Sequence, residues 1–160
     1  MQIASPPMRS PDELTALFRA RGLKVTPQRQ AIFRILHGTD RHPSAETVYA
    51  RASAEMPTIS LRTVYQTLND LAEMGELVSH DLGTGSARFD PNLDPHHHLV
   101  CESCGRVIDV YVDAGTIDVP PDQRHGFRIA ATEVVFRGTC APCSASDDGH
   151  SPPPGKDSNG

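Results

Sequence analysis

Apolar residues recur at helical spacing in four successive stretches of the N-terminal half. Leu14, Leu17 and Phe18 follow Pro11 and stop at Gly22. Thr26 and Pro27 offer a hydroxyl N-cap followed by proline at the first helical position, and Ile32, Phe33, Ile35 and Leu36 come after them. Ser44 can cap a third helix with Ala45, Val48, Tyr49, Ala52 and Met56 on one face, closed by Pro57. Ser60 can cap a fourth, with Leu61, Val64, Leu68 and Leu71 inward and Gly75 as its stop. The period then shortens: ELVSHDLGTGSARFD reads as two short strands around a Gly-Thr-Gly turn. Helices followed by a hairpin form the pattern of a winged helix-turn-helix; the plainer alternative is a small helical domain with a polar outer face. In the winged reading the outer face of the fourth helix offers Arg62, Thr63, Tyr65, Gln66 and Asn69, side chains able to meet base edges or phosphates.

Pro91, Asp94 and Pro95 read as a stiff linker. Beyond it, Leu99 and Val100, a Cys-x-x-Cys-Gly turn, and Val107, Ile108, Val110 and Val112 suggest a strand, a knuckle and a strand. Gly115, Pro120 and Pro121 argue against a long helix over 113–123, and FRIAATEVVFRGTC reads as a further strand pair. Residues 1–10 and the tail 144–160 are poor in apolar residues and are expected to be disordered. The expected organisation is α+β: a winged helix-turn-helix over 11–90, a hinge at 91–95, and a small α/β dimerisation domain with a zinc knuckle over 96–143.

Charge sharpens the first half more than the whole. The chain carries a net charge of −5, which does not advertise nucleic-acid binding. Residues 1–90 hold ten Lys/Arg and ten Asp/Glu, whereas 91–160 hold five and ten. Leu14 to Thr39 contains Arg19, Arg21, Lys24, Arg29 and Arg34 and no acid. Such a local basic face is the footprint DNA requires, with Arg21 and Lys24 as candidate DNA contacts; a solvated helix surface is the bland alternative. No apolar stretch is long enough for a membrane span and none follows the N-terminal charges as in a secretory signal, so a reduced, cytoplasmic setting without a membrane partner is expected.

The four cysteines are Cys101, Cys104, Cys140 and Cys143, in a C-x2-C-x35-C-x2-C arrangement. Each pair can grip a metal from one turn, so a structural four-thiolate zinc is the leading reading, with a disulfide pair or an iron centre as alternatives. A closed site of this kind has no open position for catalysis. His96, His97 and His98 precede the first cysteine. In an extended segment His96 and His98 share a side and can share a metal, while His97 points away.

HPSAETVY at 42–49, SLRTVYQTL at 60–68, RFD at 88–90, the HHHLVCESCG run and the late CAPC together resemble the ferric uptake regulator (Fur) family over roughly Glu13 to Cys143. The resemblance implies a homodimeric winged-helix repressor that binds a palindromic double-stranded DNA operator when a metal locks its shape. It also implies a regulatory metal held by His42, Asp90, His96, His98 and Asp109. Aspartate at positions 90 and 109 is similar to the peroxide-regulator branch, where iron-uptake members carry glutamate and zinc-uptake members place a cysteine at the first position. An all-nitrogen-and-oxygen site suits Fe(II) or Mn(II). The implied sensing reaction is oxidation of His42 or His96 by peroxide at bound Fe(II). An iron- or manganese-responsive uptake regulator is the near alternative. A third family site would use a histidine at position 132, which here is Thr132; His97 and His125 are then read as surface or packing residues. A metal hydrolase is a poor fit, with no His-Glu-x-x-His helix and no separate general base. A zinc-knuckle interaction module would show no metal-dependent DNA binding.

Overall fold

In the computed structural model, residues 8–39, 42–115 and 117–147 are described; the expected disorder at 1–7 and 148–160 lies outside them. The chain forms two compact units, Met1–His97 and His98–Gly160. The expected hinge at 91–95 thus lies within the first unit, and the division comes two residues later, inside a strand.

The first unit is built from α1 (Pro11–Ala20), α2 (Pro27–His37), α3 (Ala45–Glu55) and α4 (Leu61–Glu73), followed by strands β1 (Val78–His80) and β2 (Arg88–Asp90). Every helix begins on a hydroxyl. Ser10, Thr26, Ser44 and Ser60 accept from the backbone N–H three residues on, satisfying one donor that the first turn leaves open. Ser10 and Glu13 complete a reciprocal capping box. Of the stretch expected to fray, residues 8–10 are instead engaged: Met8 packs on the core, Arg9 pairs with Glu76 at 2.8 Å, and Ser10 caps α1. The core joins Leu14, Phe18, Ile32, Phe33, Leu36, Val48, Val64, Leu68, Leu71, Leu77 and Phe89 from all four helices and the hairpin. Phe18 and Phe33 meet edge to face, ring centroids 4.9 Å apart. Leu61, expected inward, is 36% exposed because it opens the first turn of α4. β1 and β2 pair antiparallel, Val78 opposite Asp90 and His80 opposite Arg88, forming the wing.

The second unit holds a three-stranded sheet in the order β4-β3-β5, from β3 (His97–Cys101), β4 (Val107–Val110) and β5 (Val135–Gly138), and a short helix α5 (Ala141–Asp147). β5 runs parallel to β3, His98 opposite Val135 and Cys101 opposite Gly138. The expected strand pair in FRIAATEVVFRGTC is one strand, and 127–133 form neither helix nor strand. The tail expected to be disordered from Ser144 continues α5 as far as Asp147. Among the described residues of this unit, Val100, Cys101, Val107 and His98 are buried, a thin core for a sheet.

Candidate metal centres and DNA-facing helix

The four cysteines come together in the second unit. Cys101 and Cys104 flank the turn between β3 and β4, where Gly105 takes a left-handed φ of 73°. Cys140 precedes α5 and Cys143 lies in its first turn. The parallel pairing of β3 with β5 is what brings the two Cys-x-x-Cys pairs to one end of the sheet. All four sulfurs lie within 4.8 Å of one another. Thiolates about 2.3 Å from one ion at tetrahedral angles sit about 3.8 Å apart, and Cys104 Sγ and Cys140 Sγ are separated by 3.8 Å. A disulfide needs about 2.05 Å, and all four cysteines are free. The donor set and spacing fit a structural zinc. The Cys140 N–H donates to Cys101 Sγ at 3.3 Å. Backbone N–H groups of Cys104 and Cys140 lower the Cys101 thiol to about 6, while Cys140 raises the Cys143 thiol to about 12.

Three of the five expected regulatory ligands belong to the first unit and converge there. His42 lies in the loop before α3, Asp90 ends the wing and His96 follows it by six residues. His42 Nε2 is 2.9 Å and His96 Nε2 2.8 Å from the same oxygen, Asp90 Oδ2. All three side chains are buried. Phe89 N–H donates to the Pro43 carbonyl at 3.0 Å, which ties the His42 loop to the strand carrying Asp90. Burial alone would push the Asp90 carboxyl up, but hydrogen bonding with His42 and His80 more than offsets it and holds the group well below the usual carboxylate range. Asp90 is therefore an anion inside protein.

The tautomer of His96 shows what the cluster is suited to. Its Nδ1 meets the Asp94 carbonyl, which can only accept, so Nδ1 carries the proton. Its Nε2 faces a carboxylate oxygen 2.8 Å away, so that ring nitrogen and that oxygen are placed to share one cation. Ligand atoms about 2.1 Å from a small divalent ion at right angles lie about 3 Å apart, close to the spacings present. The donor set fits a borderline or hard divalent cation.

The remaining two expected ligands belong to the second unit. His98 is buried and its Nε2 lies 3.9 Å from Asp109 Oδ1. His98 Nδ1 is 3.1 Å from Glu133 Oε1. Neither Glu133 nor His80 was expected from the sequence. His80 Nε2 stands 3.7 Å from Asp90 Oδ2, and the hairpin register was the signal: His80 is the same-face diagonal neighbour of Asp90. Neither His97 nor His125 lies in a group of candidate ligands among the described residues. His125 is exposed in a turn with φ of 46°.

On the fourth helix Arg62, Gln66 and Asn69 are exposed, while Thr63 and Tyr65 are half-buried. Tyr65 OH donates to Glu46 Oε1 at 2.7 Å, which raises the phenol and lowers the carboxyl. Arg21 and Lys24 are exposed. The broader basic face is smaller than the sequence suggested. Arg29 is buried, bonded to Asp70 at 2.9 Å and stacked over the Phe18 ring, and Arg34 lies 3.5 Å from Glu55.

The model of the ferric uptake regulator family matches residues 20–136. This chain belongs to the ferric uptake regulator family. Family members are transcription regulators, and the chain is a metal-responsive regulator of that kind. Over 133 residues it is 33% identical to the "peroxide-responsive repressor PerR" of Staphylococcus aureus, covering 82% of this chain and 90% of that protein. Among solved structures, the ferric uptake regulator of Pseudomonas aeruginosa with manganese is 30% identical, with a TM-score of 0.56 over 79% of this chain and 97% of that one. The Helicobacter pylori regulator, at 17% identity, shares the fold with a TM-score of 0.66 over 87% of this chain and 97% of its own.

Proposed function

We propose that this regulator is a dimeric DNA-binding repressor that senses peroxide, with His42, Asp90, His96, His98 and Asp109 holding one Fe(II) or Mn(II) ion. The observation that carries the reading is the convergence of His42 and His96 on the buried Asp90 carboxylate, an all-nitrogen-and-oxygen donor set with aspartate in the middle. Thiolate would favour zinc at such a site; imidazole and carboxylate leave it open to iron and manganese. His98 follows His96 by two residues in the chain, so an ion held by both ties the wing-bearing unit to the zinc-bearing one. The ion acts as a ligand that selects one arrangement of the domains, and metal and DNA binding are reciprocally coupled.

For DNA, α4 offers Arg62, Gln66 and Asn69 at its exposed surface, with Thr63 and Tyr65 beside them and Arg21 and Lys24 as phosphate contacts. Two copies related by a two-fold axis would present two such helices to a palindromic operator. The exposed apolar side chains of the second unit, Tyr111, Ile117, Phe127 and Phe136 among them, support a homodimer interface there. No helix among the described residues is long and apolar enough to cross a membrane, and a cytoplasmic regulator is the reading adopted.

An Fe(II) ion held by these residues would activate peroxide beside the ligand rings; one oxygen of the peroxide would pass to an imidazole, a two-electron oxidation, and the other would leave as water. By resemblance to the peroxide-regulator branch, His42 and His96 are the rings expected to gain oxygen; an oxidised imidazole is a poorer ligand, so the domain arrangement would relax and DNA would be released. Mn(II) supports DNA binding without that damage. A metal hydrolase is disfavoured because five ligands leave little room for substrate. Mass spectrometry of iron-loaded, peroxide-treated protein tests the sensing step. An added oxygen on the peptide containing His42 or His96, absent from the manganese-loaded protein, is expected. Oxidation confined to cysteine and methionine would leave a plain iron- or manganese-responsive regulator.

A further inference from the structure

The strands that build the zinc site also bring a carboxylate against one of the proposed regulatory ligands. His98 N–H donates to the Val134 carbonyl at 3.2 Å, and His98 stands opposite Val135 in the parallel register. That register sets Glu133 beside the ring, with Oε1 3.1 Å from His98 Nδ1. The imidazole is buried at 1% exposure, whereas the Glu133 side chain is 46% exposed and keeps access to water. An ionised carboxylate can only accept, so the contact assigns the proton of a neutral ring to Nδ1. The lone pair is then on Nε2, the atom that faces Asp109.

We propose that Glu133 is a positioning residue for the regulatory metal, acting through His98: its carboxylate accepts the Nδ1 proton, fixes the ring's orientation and tautomer, and leaves Nε2 as the donor. The inference rests on the assignment of His98 as a ligand in the reading above. It adds a residue outside the five, and one that the sequence does not advertise, since Glu133 precedes β5 and stands 35 positions from its partner. The two histidines of the His-x-His pair are then oriented by different groups. His96 is held by a neutral backbone carbonyl, that of Asp94, and His98 by an anion. A carboxylate partner raises the basicity of a ligand imidazole and stiffens its orientation, and loss of such partners typically costs about 10–100-fold in metal affinity. His98 is on this account the more strongly donating ring of the pair.

The test uses the full-length protein with its cysteine site zinc-loaded, and reads Mn(II) affinity by electron paramagnetic resonance together with the nitrogen-15 shifts of the metal-free histidine rings. In the unaltered protein, His98 is expected to show a protonated Nδ1 and an unprotonated Nε2. Glu133→Ala is expected to weaken Mn(II) binding about 10–100-fold and to mix the tautomers. Glu133→Gln, which can still accept through its amide oxygen, should recover part of the affinity. Zinc content and melting temperature should be unchanged in both variants, which separates positioning from a general structural role. Unchanged Mn(II) affinity in Glu133→Ala, or an unprotonated Nδ1 in the parent protein, overturns the proposal. So does a second bound Mn(II) ion lost with Glu133, which would make the carboxylate a ligand itself. Asp109→Ala and His98→Ala are measured alongside. If they bind Mn(II) as the parent does, the five-ligand reading has failed; if they weaken binding and Glu133→Ala does not, only the role of Glu133 has.

Discussion

The two units of this chain are stabilised by different means. The first buries a run of large side chains, Phe18, Phe33, Leu36, Leu68 and Leu71 among them, each fully inaccessible. In the second, among the described residues, Val100, Val107 and Cys101 make up the buried apolar set, while Phe127 is 75% and Ile117 56% exposed. Burial of a Leu- or Phe-sized side chain stabilises by about 1.5–3 kcal/mol, so the first unit can fold on packing alone. The second has too little buried surface for that and relies on four thiolates and, on the reading adopted, a second copy. The contrast separates a helical unit whose shape is fixed by its core from a small sheet unit organised around four thiolates.

The largest way to break this contrast is to remove the zinc. Apparent binding free energies at structural sites run to about 10–16 kcal/mol and appear as folding free energy. A strong chelator, or Cys104→Ser with Cys140→Ser, should therefore abolish the ordered second unit and the dimer. The helical signal of the first unit should persist in circular dichroism. Loss of both units together on chelation would show that the first depends on the second. A smaller and opposite effect comes from the core. Phe33→Ala leaves a cavity beside Phe18 and should cost about 3–5 kcal/mol, read as a lowered denaturant midpoint of the helical transition with zinc stoichiometry unchanged. Zinc loss in that variant would mean the two regions are energetically coupled. The mildest probe is Ser60→Ala, which removes the oxygen that accepts the Thr63 N–H at the start of α4. It should cost about 1 kcal/mol and fray the first turn, where Arg62 sits. Faster amide exchange at residues 61–63, with no change elsewhere, is the expected reading.

Much of the first unit was legible because each helix carries its own punctuation. The hydroxyls at 26, 44 and 60 and the glycines at 22 and 75 mark the ends, and the 3.6-residue period marks the buried face; the Ser10 cap was hidden in a stretch whose composition reads as disordered. The cysteine site was legible because pair spacing is nearly sufficient to define a four-thiolate clamp. What escaped depends on partners distant in sequence. Arg29 counted toward a basic face, yet Asp70, 41 positions later, draws it into the protein. Glu133 reads as one more surface acid until the parallel register of β3 and β5 sets it against His98. The apolar residues of 127–131 looked like a strand because strand and exposed interface share a composition; alternation does not reveal whether the covering surface belongs to the same chain.

The convergence of His42 and His96 on Asp90 belongs to neither stabilising scheme: it gathers three buried polar side chains whose nitrogen and oxygen atoms suit a divalent cation. That donor set is the physical reason to read the cluster as a switch. The most direct test is the affinity of the zinc-loaded protein for its own promoter fragment, with Mn(II) and with no added metal, before and after His96→Ala. The unaltered protein should bind at least about 10-fold more tightly with Mn(II), within the usual range of coupling between sites. His96→Ala should bind weakly in both conditions while keeping its zinc and its dimer. Retention of the full metal-dependent difference in His96→Ala would contradict the account.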